Sequence, residues 1–84
     1  MTKATIVGVN LPKSRAVAMT DDGEYVLIEL FTDELELHDV VAGSFDEHVL
    51  GGEIIRNLTS KTNMDVYIQN YCSKDIAENY LKGL

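Results

Sequence analysis

The chain has 84 residues, with 14 Asp and Glu against 7 Lys and Arg, a formal net charge of −7. Hydrophobic residues make up 45% and charged residues 25%, the balance of a folded domain and not of a disordered chain. The length suits one small core, no run approaches the roughly 18–20 consecutive apolar residues of a membrane helix, and the lone Cys72 excludes an internal disulfide or a multi-cysteine zinc site.

Strand-forming sequence opens the chain. Ala4 to Asn10 is short, β-branched and bounded by Pro12, which fixes its own φ and restrains Leu11. After a loop over Asn10 to Ser14, Arg15 to Thr20 forms a second run. Asp21-Asp22-Gly23-Glu24 follows, and Asp-Gly between two strands predicts a tight hairpin with Gly23 at positive φ. Tyr25 to Phe31 then pairs antiparallel with residues 15–20; it is apolar on both parities except at Glu29, as a central barrel strand would be.

Thr32 to His38 reads either as an extended connector, with Leu35 and Leu37 alternating with Glu34 and Glu36, or as a helical turn capped by Thr32 or Asp33. Val40 to Phe45 is a strand in which Gly43 marks a bulge or tight bend. Asp46 to Gly52 is a loop, Glu53 to Thr59 a strand, and Ser60 to Asn63 a turn. In Met64 to Tyr71, Met64, Val66 and Ile68 alternate with Asp65, Tyr67, Gln69 and Tyr71. The period then changes: Ile76, Ala77, Tyr80 and Leu81 recur at helical spacing, Ser73 is the N-cap, and Gly83 stands where a C-cap glycine belongs. A helix over residues 74–82 should cover an open end or edge of the sheet and bury Ile76 and Leu81.

These elements predict one mainly β domain over residues 1–84. An antiparallel barrel of five to six strands spans about residues 3–71, and a C-terminal α-helix follows. The order, a three-strand meander over residues 4–31 followed by a connector and a further set of strands, resembles an OB-fold-like barrel. Leu37-His38-Asp39-Val40-Val41-Ala42-Gly43 is similar to the turn and strand opening after the connector of such barrels, where an aspartate side chain tightens the turn. An SH3-like barrel shares the same order.

Charge is segregated. Residues 1–20 carry Lys3, Lys13 and Arg15 and no acid, whereas residues 21–55 carry eleven acids and no Lys or Arg. Residues 56–84 carry Arg56, Lys61, Lys74 and Lys82 against Asp65, Asp75 and Glu78. This balance disfavours nucleic acid, which basic stripes bind, and it promotes solubility. Residues 1–8 lack the apolar block of a secretory signal, and a lone cysteine suits a reducing compartment, so a cytoplasmic protein is expected.

No catalytic constellation emerges, and neither an enzyme nor a cofactor is expected. His38-Asp39 and Asp46-Glu47-His48 match no metal-ligand spacing, Asp21-Asp22-Gly23-Glu24 lacks the alternation of an EF-hand loop, and Gly51-Gly52 is too short for a phosphate loop. The pairs Asp33 with Glu34 and Asp46 with Glu47 need not converge in space. A helix N-terminus just after Cys72 would lower its pKa, but no base is placed beside it. The candidate binding face is the outward parity of the last strand, Tyr67, Gln69 and Tyr71, with Arg56 and Asn57 on the neighbouring strand. Such a face suits stacking of a peptide or of single-stranded nucleic acid, with Lys61 and Arg15 assisting; a protein partner would instead meet the acidic surface or a sheet edge, and self-association would use the C-terminal helix. The competing reading packs Tyr67 and Tyr71 beneath the C-terminal helix, against Ile76, Tyr80 and Leu81.

Overall fold

Strand-favouring residues separated by Gly, Asp and Asn turns build six antiparallel strands: β1 (Thr2–Asn10), β2 (Arg15–Thr20), β3 (Tyr25–Leu30), β4 (Val40–Gly43), β5 (Gly51–Asn57) and β6 (Thr62–Cys72). Among the described residues, one α-helix, α1 (Lys74–Lys82), follows β6. The structure, a computed structural model, describes residues 2–32 and 35–83. The strands close into a barrel in the order β1-β2-β3-β6-β5-β4, with β4 returning to β1. A closed antiparallel barrel with a C-terminal helix agrees with the OB-like pattern read from the sequence. Among the described residues, no helix is long and apolar enough to cross a membrane.

The hairpin between β2 and β3 forms as its Asp-Gly sequence requires. Gly23 has φ 84°, its N–H donates to the Thr20 carbonyl at 2.9 Å, and Thr20 N–H donates to the Glu24 carbonyl at 2.8 Å. The connector places Leu35 in the barrel core at 1% exposure. Asp33 and Glu34, and with them the helical-turn reading, lie outside the described residues. Asp39 closes the turn before β4: its Oδ2 accepts the Glu36 N–H at 3.0 Å. Strand β4 stops at Gly43, short of Phe45, because a 3-10 turn over Phe45–Glu47 swings the Phe45 ring into the core. The ring lies so close to Gly43 that a side chain there would crowd Phe45 and Ile55. Gly51 and Gly52, expected in a loop, are the first residues of β5, paired with Ile68 and Tyr67.

Two bulges depart from strict alternation. In β1 the register slips between Ile6, opposite Ala18, and Gly8, opposite Val17. In β6 it slips at Gln69, because Ile28 faces Ile68 while Leu27 faces Asn70. Past each bulge the inward and outward parities exchange. Gly8 therefore faces outward, and the same happens to Cys72, which joins the cluster under α1. Tyr71 turns inward against the barrel core.

The helix lies on the outer wall of β1, β2 and β3, not over an end or edge of the barrel. Ala77 is buried there with Val17 and Leu27, flanked by half-buried Tyr25, Cys72, Tyr80 and Leu81. Ile76, expected to be buried, is 53% exposed, since the apolar arc is centred on Ala77 and Leu81. Leu81 sits over Gly8, in the space a side chain there would occupy. The C-terminal turn of α1 is latched to the wall. Arg15 Nη1 donates to the Tyr80 carbonyl at 2.8 Å, Asn10 Nδ2 donates to the Leu81 carbonyl, and Tyr80 Oη donates to the Ile28 carbonyl at 2.9 Å. A cation beside the last carbonyls also suits the negative end of the helix dipole. Ser73 is the N-cap in extended conformation but forms no side-chain cap bond, and Gly83 ends the helix at φ 85°.

Candidate functional site

With α1 on the β1–β2–β3 wall, the opposite wall, β3–β6–β5, is bare among the described residues. Outward positions on β5 are Gly52, Ile54 and Arg56, and on β6 Asn63, Asp65 and Tyr67. The register sets them in rows: Arg56 opposite Asn63, Ile54 opposite Asp65, and Gly52 opposite Tyr67, whose other neighbour is Glu29 on β3. Phe31, just past the end of β3, is 61% exposed, Ile54 is 66% exposed and Tyr67 is 41% exposed. A groove of about 440 Å³ runs between Phe31 and Ile54, with Asp65 and Gly52 also lining it. The groove is open above Gly52, where a Cβ would meet nothing within 4 Å.

The residues singled out in the sequence fare differently. Tyr67 and Gln69 are exposed, with Gln69 Nε2 donating to Glu29 Oε2 at 2.9 Å. Arg56 is exposed and donates from Nη1 to Asn63 Oδ1 at 3.1 Å. Tyr71 does not share their face, because the bulge at Gln69 turns it inward. There its hydroxyl donates to the Val49 carbonyl at 2.9 Å and its ring meets His48 edge-on at 4.7 Å. Asn57 is wholly buried: Nδ2 donates to Asp39 Oδ2 at 2.8 Å, and Oδ1 accepts the Thr59 and Ser60 N–H groups. Both are framework residues. Neither Tyr67 nor Tyr71 lies beneath α1; Tyr25 and Cys72 take those places. Arg15 belongs to the helix latch, with its guanidinium 4.7 Å from the Tyr80 ring centroid, and so does not join Arg56 and Lys61 of the β5–β6 hairpin.

Phe31, Ile54 and Gly52 were absent from the sequence reading of the face. The signal for Ile54 was its shared parity with Arg56, and the signal for Phe31 its shared parity with Glu29.

His48 Nε2 lies 2.7 Å from Glu24 Oε1 at the β2–β3 end of the barrel. Among the described residues, no group of three or more His, Cys, Asp or Glu side chains is arranged to hold a metal ion. Burial, followed by the Glu24 charge, pushes the Cys72 thiol above its ordinary range, the reverse of the lowering that a helix N-terminus would give. Burial also raises the Tyr71 hydroxyl, assisted by Glu24, Glu53 and Asp46. No protein-family model matches this chain, and no curated protein or solved structure matches it either.

Proposed function

We propose that the protein is a small interaction module that binds another protein on its β3–β6–β5 wall. The observation carrying this reading is the asymmetry of the barrel. One wall is sealed by α1, while the other leaves Phe31, Ile54 and Tyr67 exposed around an open groove. Apolar residues grouped on one face of a small domain mark an interaction surface more often than they mark chance. Aromatic residues are also the side chains enriched in protein interfaces. The acidic charge and the inward turn of Tyr71 weigh against base stacking, which needs a basic, aromatic-rich platform.

A peptide-display library selected on the immobilised chain tests the reading. A Phe31→Asp, Ile54→Asp double variant, checked for an unchanged circular dichroism spectrum, serves as the discriminating bait. Peptides retained by the native chain and lost by the variant support the module. Selection that yields no such peptide sinks it, as does tight, steeply salt-dependent binding of a labelled single-stranded oligonucleotide to the native chain.

A further inference from the structure

We infer that the groove on the β3–β6–β5 wall takes a positively charged chain segment with one bulky aliphatic side chain as its anchor. The inference rests on the interaction reading above and adds the chemistry of the partner. Asp65 lies opposite Ile54 and lines the groove together with Phe31, so a carboxylate stands between two exposed apolar side chains. Glu29 flanks Tyr67 one strand away on the same wall. The cation on this wall, Arg56, stands one row from Asp65, and its guanidinium is engaged by Asn63 at 3.1 Å. The whole chain carries −7, so its field attracts cations and repels acidic segments at long range.

Shape selects the anchor. Beside Ile54 on β5 and opposite Tyr67, the missing side chain of Gly52 leaves open space, and an aliphatic side chain entering it would cover Ile54 and Tyr67. Lysine or arginine residues beside that anchor would then lie within reach of Asp65 and Glu29. Anchor and charge do different work: the buried aliphatic group sets the lifetime of the complex, and the exposed charges set its rate of formation and its salt dependence.

The probe is a short synthetic peptide with a central leucine flanked by lysines, titrated into the isotopically labelled full chain and followed by backbone amide shifts. The expected result is perturbation centred on Phe31, Gly52, Ile54 and Asp65. Replacing the peptide leucine by serine should weaken binding by roughly tenfold or more, the scale of one buried aliphatic side chain. Asp65→Asn should weaken it several-fold and flatten its salt dependence. Gly52→Leu should fill the groove and abolish the perturbation while leaving the spectrum that of the folded chain; if that variant unfolds, Ile54→Ala gives the same readout on a position already exposed.

A glutamate-flanked peptide binding as well as the lysine-flanked one would overturn the inference. So would shifts that ignore both Gly52→Leu and Ile54→Ala. Either result, obtained alongside wall-dependent peptides from the display library, would leave the interaction reading standing. A library with no wall-dependent peptide removes both.

Discussion

Asn57 looks from the sequence like part of a polar binding face, yet it is completely buried, and removing it should unfold the protein more readily without touching recognition. In Asn57→Ala the Asp39 carboxylate, 7% exposed, loses the 2.8 Å donor from Nδ2 and keeps only the Glu36 N–H on that oxygen. A hydrogen bond to a charged acceptor contributes about 1.5–3 kcal/mol. The Thr59 and Ser60 N–H groups lose their acceptor as well, but they lie in an exposed turn where water replaces much of the bond. The expected loss is therefore about 2–4 kcal/mol, set against about 4–13 kcal/mol for a domain of this length. Urea unfolding of Asn57→Ala, Asp39→Ala and the double variant measures it, and the cycle should give a coupling of roughly 1–3 kcal/mol. Tyr67→Ala on the bare wall is the contrast, with a change within about 1 kcal/mol, the range of a cross-strand pair. If Asn57→Ala lowers stability by less than about 0.5 kcal/mol, the buried Asp39–Asn57 pair does not hold the β4–β5 junction and the reasoning fails.

Other expectations follow from the same geometry. Gly23→Val should cost more than ~1 kcal/mol in thermal or urea unfolding purely through backbone strain, since a Cβ there meets nothing within 4 Å at φ 84°; an unchanged midpoint would contradict it. Gly8→Ala should displace Leu81 and destabilise by about 1–3 kcal/mol, and combining it with Leu81→Ala should recover part of that loss. Deleting residues 73–84 should expose Val17 and Leu27, giving aggregation or loss of cooperative unfolding. A truncated chain that is monomeric and equally stable would show that α1 contributes nothing. The Tyr71 and Tyr80 hydroxyls, which donate to carbonyls, have pKa values raised above 10.0 by burial first, with Arg15 opposing the rise at Tyr80. A raised folded-state pKa gives stability that is complete below the unfolded value and is lost as pH rises through the folded one. The unfolding midpoint should therefore fall above about pH 10, less so in Tyr71→Phe and Tyr80→Phe.

Local chemistry determined much of this protein. The Asp21-Asp22-Gly23-Glu24 hairpin, the Asp39 turn, the strands β1, β2 and β3 to within a few residues, and the helix over residues 74–82 follow from turn residues, parity and capping. Those signals act over a few residues, so a single sequence displays them. Barrel closure through β1 and β4 and the choice of wall for α1 depend on contacts between distant segments. The face of Tyr71 was decided by one extra residue, Gln69, opposite β3, and no pattern within β6 reveals where its partner strand forces a bulge. Asn57 reads as polar and outward until Asp39, eighteen residues away, supplies the buried partner that makes its burial favourable. The bare wall has the same origin: Phe31 and Ile54 are exposed while α1 is latched by Arg15, Asn10 and Tyr80 to the other side of the barrel.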